Sequence, residues 1–285
     1  MRVDSFFDTK SCTFSYIISD SKTKKCAIID PVLDYNIYTG EFHSENADKL
    51  LKFIKNNNLL CEWILETHVH ADHVTAAYYL KNKLNSKIGI GKGVKKVIKH
   101  WKPIFNIKDD KKEFSKYFDK LFEDGEEFNV GNLIFKVINT PGHTKSCISY
   151  KVDNNIFVGD TLLMPESGTA RTDFPGGSAE DLFYSIKKLY KYPEITNIYV
   201  CHNYPKKVGT EKCKSSLSDH YKNNVLINNK TSKLEYIKAR NELDKNRKPP
   251  RFIYPSLQMN IKSGKYNIKN SLNEFIWIPI NYKGL

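Results

Sequence analysis

"ETHVHADH", residues 66–73, places His68, His70, Asp72 and His73 within six positions of a 285-residue chain that has only eight histidines. Imidazoles and carboxylates crowded in this way are the donors that zinc, iron or manganese require, so the stretch reads first as a metal-binding loop. Its flanks place that loop in a fold. "CEWILET" (61–67) is a short apolar run of strand character, and "VTAAYYLKNKL" (74–84) reads as a helix. The candidate ligands then sit where a strand ends and a helix begins, beyond the carboxyl ends of strands, where open α/β sheets place their sites.

Working outward, "CTFSYIIS" (12–19) and "KCAIID" (25–30) form a predicted hairpin about "DSKTK", and "ADKLLKFIKNNN" (47–58) repeats Leu50, Leu51 and Ile54 at helical spacing. The second half follows the same logic. "NLIFKVINT" (132–140) is a strand broken at "PGH", "CISYKV" (147–152) and "NIFVGD" (155–160) make a hairpin, and "AEDLFYSIKKLY" (179–190) is an amphipathic helix. "NIYVCHNY" (197–204) is a further strand ending in a histidine. Two strand-rich halves, each carrying helices, predict an α/β fold of the four-layer α/β/β/α sandwich type. One domain is expected over 1–285, with its core in about 1–210 and the helices and extension of 211–285 packed on it. "KNRKPPR" (245–251) reads as a linker within that tail.

The net charge of +13 comes almost wholly from lysines spread along the chain, with arginine only at Arg2, Arg171, Arg240, Arg247 and Arg251. Dispersed lysine implies a solvated basic surface rather than a nucleic-acid site. No apolar run reaches the roughly 18 to 20 residues of a membrane span, and "MRVDSFFDTK" has no apolar signal region. Six cysteines without CxxC spacing read as reduced thiols, so a cytoplasmic location is expected. The sequence leaves the oligomeric state open, a homodimer included.

Three more residues at predicted strand ends join the cluster: His143 in "TPGHT", Asp160 in "VGD" and His202 in "CHNY". A carboxylate at Asp160 is able to bridge two ions. His43, His100 and His220 fall outside the pattern and read as ordinary side chains.

These motifs, in this order, resemble the metallo-β-lactamase superfamily over about the first 205 residues. A closer resemblance is to persulfide dioxygenases, including bacterial members filed as β-lactamase hydrolase-like proteins. It rests on "FFDTKSCTFSYII", "AIIDPV", "ETHVHADHVTAAYYLK", "TPGHTKSCISY" and "GTARTDFPGG", and in the tail on "PSLQMNIKSG" and "IPIN". The resemblance implies one Fe(II) per chain on His68, His143 and Asp160, and oxidation of glutathione persulfide by O2 to sulfite and glutathione. A two-histidine, one-carboxylate face leaves positions for both sulfur and oxygen. His70, Asp72, His73 and His202 would orient ligands and substrate, or hold a second metal in hydrolytic relatives. Arg171 and Tyr204 are implied in substrate binding, Arg171 through a carboxylate of glutathione, with an ion pair to Asp173 as the structural alternative. Relatives read His-Asp-Tyr where this chain has His202, Asn203 and Tyr204. The rival activity is glyoxalase II-like hydrolysis of a glutathione thioester with one or two Zn(II), and a non-catalytic metal-binding regulator is the reading from another class.

Overall fold

The computed structural model describes residues 1–107, 117–205, 207 and 209–265. In chain order the described strands are β1 (Arg2–Asp8), β2 (Thr13–Ser19), β3 (Lys25–Ile29), β4 (Val32–Tyr35), β5 (Phe42–His43), β6 (Leu60–Leu65), β7 (Val74–Thr75), β8 (Lys87–Gly91), β9 (Lys120–Phe122), β10 (Glu127–Val130), β11 (Leu133–Asn139), β12 (Ile148–Val152), β13 (Asn155–Phe157), β14 (Asn197–Tyr199) and β15 (Lys214–Ser216). The described helices are α1 (Glu45–Asn56), α2 (Ala77–Leu84), α3 (Val94–Ile104), α4 (Ala179–Leu189), α5 (Leu217–Asn223), α6 (Lys233–Asp244) and α7 (Ile253–Asn260).

Period-two alternation along the strands builds the layers. In β2, Phe14, Tyr16 and Ile18 enter one core and Ile17 another; in β3, Ala27 and Ile29 part from Cys26 and Ile28 in the same way. The first sheet runs β1-β2-β3-β6-β8-β9 and the second β10-β11-β12-β13-β14-β15. Between them lies a core that joins Tyr16 and Leu65 to Phe135, Tyr150 and Phe157. The outer face of the first sheet is covered by Leu50, Leu80 and Trp101 of α1, α2 and α3. That of the second is covered by Leu182, Ile186 and Leu189 of α4 together with Tyr236 of α6. Three cores between four layers make the α/β/β/α sandwich that the sequence predicts.

Local differences have local causes. The segment predicted as helix over 74–84 begins with β7, which pairs with β4 through Val32↔Thr75 and Leu33↔Val74. Thr75 then offers its hydroxyl to the Ala77 amide (3.0 Å), which starts α2. The last predicted strand, 197–204, stops at Tyr199, and His202 makes only an isolated bridge to Thr13. "KNRKPPR" joins α6 to α7 and lies against the body of the protein, where the carbonyl of Lys248 accepts from Arg171 (2.8 Å). "IPIN" (278–281) and the rest of the chain beyond 265 lie outside the described residues. No helix among the described residues is long and apolar enough to cross a membrane.

His220, one of the three histidines outside the metal-like pattern, is fully buried in α5. It is hydrogen-bonded to Ser215 Oγ (2.8 Å) and to Asn224 Nδ2 (3.2 Å). The Asn224 amide donates to Nδ1, so the neutral Nε2–H tautomer completes the network. Burial pushes the His220 pKa down to about 4. Between pH 4 and the ordinary imidazole value near 6.5 the unfolded chain therefore binds the extra proton, and stability rises with pH across that window. Unfolding in urea should show up to about 3 kcal/mol of acid destabilisation from this residue as pH falls from 6.5 to 4. His220→Gln should flatten that slope, and an unchanged slope would assign the acid sensitivity elsewhere.

Candidate metal centre

Four turns, each at the carboxyl end of a strand, bring the candidate ligands together. His68, His70, Asp72 and His73 follow β6, His143 follows β11, Asp160 follows β13 and His202 follows β14. Two of the turns need glycine. Gly142 has φ +145 and a Cβ there would collide with the Leu182 backbone, while Gly159 has φ +51 and a Cβ would lie 2.5 Å from Thr67 Oγ1. The first close approach seats the His143 turn against α4, and the second seats Asp160 against the loop that carries His68.

His68 Nε2 lies 4.0 Å and His143 Nε2 3.5 Å from Asp160 Oδ2, and all three residues are buried. Such separations are too long for hydrogen bonds. They suit atoms sharing one ion, because two ligand bonds of about 2.1 Å at roughly right angles set the ligand atoms about 3 Å apart. The far side of each ring is fixed. His143 Nδ1 donates to the Arg171 carbonyl (2.7 Å). Thr67 Oγ1 gives its proton to Asp30 Oδ2 (2.8 Å) and so accepts from His68 Nδ1 (2.9 Å). Both Nε2 atoms are left as lone-pair donors facing Asp160. Burial, then the neighbouring imidazoles, hold the His68 pKa well below its ordinary value, which keeps the ring neutral as a ligand must be.

A second set of donors faces the other oxygen of the same carboxylate. His202 Nε2 lies 3.5 Å from Asp160 Oδ1 and 3.3 Å from Asp72 Oδ2, and its Nδ1 donates to the Cys12 carbonyl (3.1 Å). Burial lowers the basicity of His202, but Asp160 and Asp72 more than restore it. His73, by contrast, is pushed down to about 4 by burial and by His70. Asp160 Oδ1, Asp72 Oδ2, His73 Nε2 and His70 Nδ1 are buried with no hydrogen-bond partner among the described residues. Leaving a buried polar group unpaired costs about 1–3 kcal/mol. Four such atoms in one place, beside a two-histidine, one-carboxylate face, fit a metal as the missing partner.

Two acids absent from the sequence expectations complete the centre. His70 turns Nε2 away from Asp160, to Asp30 Oδ1 at 3.0 Å and Glu66 Oε2 at 3.2 Å. Burial alone would lower its pKa, yet the two carboxylates raise it well above the ordinary value. Asp30 also accepts from the Thr67 amide (2.8 Å), so it braces the rings of His68 and His70 at once. The signal was present in "AIID" and "WILE", where an acid closes an apolar strand. Asn260 of α7 is the other missed residue: its amide donates to the carbonyls of His70 and His73, both at 2.8 Å. Nothing in the local sequence marks it.

The centre opens into a cavity of about 480 Å³ walled by Leu163, Ala170, Phe174 and Tyr204 over Asp160 and His143. The Tyr204 ring stacks on His202, with centroids 5.9 Å apart. Arg171 also lines this cavity, but its guanidinium is engaged: Nε and Nη2 meet Asp173 at 2.6 and 2.5 Å, and Nη1 meets the Lys248 carbonyl. Asn203 faces away from His202, with its Oδ1 accepting from the Lys212 amide (3.0 Å), a task an aspartate would perform equally.

Residues 12–202 match the metallo-beta-lactamase superfamily. The chain belongs to that superfamily. It is 44% identical over 284 residues to glyoxylase B2 of Dictyostelium discoideum, spanning 99% of this chain and 97% of that protein. It is 29% identical over 201 residues to the mitochondrial persulfide dioxygenase ETHE1 of Homo sapiens, covering 70% of this chain and 66% of that one. The crystal structure of ETHE1 from Myxococcus xanthus superposes with a TM-score of 0.75 at 28% identity, over 93% of this chain and 100% of that chain.

Proposed function

We propose that the protein is an iron-dependent persulfide dioxygenase that converts glutathione persulfide, O2 and water to glutathione and sulfite. In that reaction the outer sulfur is oxidised from the level of elemental sulfur to that of sulfite, and its four electrons reduce O2. The observation that carries the reading is the pairing of His68 and His143 with a single oxygen of Asp160 beneath a cavity, and the likeness to the ETHE1 structure from Myxococcus xanthus over 93% of this chain supports it. Fe(II) held by these three residues would supply the open positions at which a sulfur and O2 meet. The chain's own residues do the rest. Asp30 and Thr67 hold His68 in its ligating tautomer, the carbonyl of Arg171 does the same for His143, and the pair of His202 and Asp72 holds a proton beside Asp160. Leu163, Ala170 and Phe174 limit water near the reacting sulfur, and Tyr204 and Arg171 wall the substrate's side of the cavity.

The 44% identity to glyoxylase B2, and the way Asp160 presents one oxygen to each donor set, favour a second reading: metal-dependent hydrolysis of a glutathione thioester with zinc. One experiment separates the two. Protein produced in iron-replete medium should contain one iron per chain, and should consume O2 with sulfite as product when given glutathione persulfide. Two zinc ions per chain with release of lactate from S-lactoylglutathione and no oxygen uptake would establish the hydrolase instead.

A further inference from the structure

The connection between α6 and α7 faces two cavities. Arg247 and Pro250 line the one above the metal centre, whereas Arg251 and Phe252, which follow directly, line a second cavity of about 520 Å³ that shares no wall residue with the first. The wall of this second cavity is aromatic. Tyr35 packs on Phe42 with ring centres 4.9 Å apart and meets Phe252 edge to face at 6.3 Å, and the ring of Tyr38 is 85% exposed. Arg251 lies over two of these rings, its charged carbon 4.7 Å from the centre of Tyr38 and 5.5 Å from that of Phe252. Its guanidinium has no hydrogen bond or ion pair among the described residues, so the rings hold its face while its N–H edge is open to a ligand. The acids of the wall have other tasks. Asp34 is buried and accepts from the Asn46 amide and from Asn46 Nδ2, both at 2.9 Å, with Lys10 Nζ at 3.6 Å. Glu45 is exposed in the first turn of α1, where the helix dipole favours an acid.

We propose that this second cavity is a binding site for a small aromatic carboxylate, with the ligand's ring on the aromatic wall and its acid group on Arg251. A guanidinium fixed by stacking keeps the planar fork that grips a carboxylate through two parallel hydrogen bonds. Tyr35 and the uncovered face of Tyr38 offer a flat apolar surface beside that fork, which an aromatic ring fits in the offset or edge-to-face arrangement that rings prefer. A cationic ligand is disfavoured, because the faces of Tyr38 and Phe252 already carry the charge of Arg251. The volume of about 520 Å³ lies in the range of small-molecule sites. The site is separate from the metal centre and stands whichever reaction that centre performs.

The test is a titration of the zinc-loaded protein, followed by the methyl resonance of Ile37, which lines this cavity, and that of Leu163, which lines the cavity of the metal centre. The probe is benzoate. Cyclohexanecarboxylate supplies the same charge without a flat ring, and benzyl alcohol supplies the ring without the charge. Benzoate should shift the Ile37 signal with an affinity at least about 10-fold above that of either control, the size of one hydrogen bond to a charged group. Arg251→Met should bring benzoate down to the level of benzyl alcohol while leaving benzyl alcohol within about twofold, which shows that the cavity is intact. Arg251→Lys should keep the charge, lose the fork and fall between the two. Tyr38→Ala, at an exposed position, should reduce benzoate and benzyl alcohol binding but leave cyclohexanecarboxylate less affected. Metal content and melting temperature should stay at the native values in all three variants. The assignment would be overturned by equal affinities for the three ligands, by benzoate binding undiminished in Arg251→Met, or by a benzoate response at Leu163 with none at Ile37.

Discussion

Asp160→Ala is expected to empty the metal centre and reduce kcat/KM by more than about 1000-fold, whereas His202→Ala should retain the first metal and a measurable part of turnover. The asymmetry follows from the two oxygens of one carboxylate. Oδ2 is the point on which His68 and His143 converge, so its removal leaves two neutral imidazoles with no charge to balance a divalent ion. His202 meets only Oδ1 and Asp72, on the other side. Loss of an orienting neighbour of a metal ligand lowers affinity by about 10- to 100-fold, and loss of the ligand itself should exceed that. Metal content after exhaustive dialysis, and competition with a chelator, measure both. Equal loss of metal in the two variants would mean that both oxygens of Asp160 serve one binuclear unit, and the hydrolytic reading would gain.

What the sequence reveals about this centre, and what it hides, divides along the range of the interactions. The histidine cluster, the "TPGHT" and "VGD" turns and the alternation of β2, β3 and β11 are local signals, and each appears in the structure where the spacing puts it. β8 was not legible because "KIGIG" offers glycines where a strand usually shows bulk. Gly89 and Gly91 are small since a Cβ would meet the Phe122 ring in one case and lie 2.7 Å from the Ser146 carbonyl in the other. β5 and β7 are two residues each and exist only through their pairing with β4. Asn260 was hidden for a stronger reason. Its meaning depends on where the tail lands, 187 and 190 residues of chain away from its two partners in the loop, and no periodicity carries that information.

That tail contact supports the last expectation. Asn260 is buried, and its side chain spends three hydrogen bonds on the metal loop. Two of its four possible bonds go to the carbonyls of His70 and His73, and in a third its Oδ1 accepts from the Thr75 amide at 2.9 Å. The contact is reinforced nearby, where Ser263 offers its carbonyl to the Tyr78 amide (3.0 Å). The loop from 70 to 75 has little regular structure of its own, so its carbonyls would otherwise be buried without partners. Asn260→Leu, close in volume, should therefore strip three backbone groups of their bonds and destabilise the fold by about 3 kcal/mol or more. Asn260→Asp should do no better, because it keeps the acceptor for Thr75 but sets a carboxylate against two carbonyl oxygens. If α7 positions the ligands rather than merely closing the fold, metal affinity should also fall by about 10- to 100-fold in both variants. Chelator competition at low temperature, where the variants remain folded by circular dichroism, measures this apart from stability. A variant that melts early yet holds its metal as tightly as the native protein would show that the histidine loop keeps its geometry without the tail.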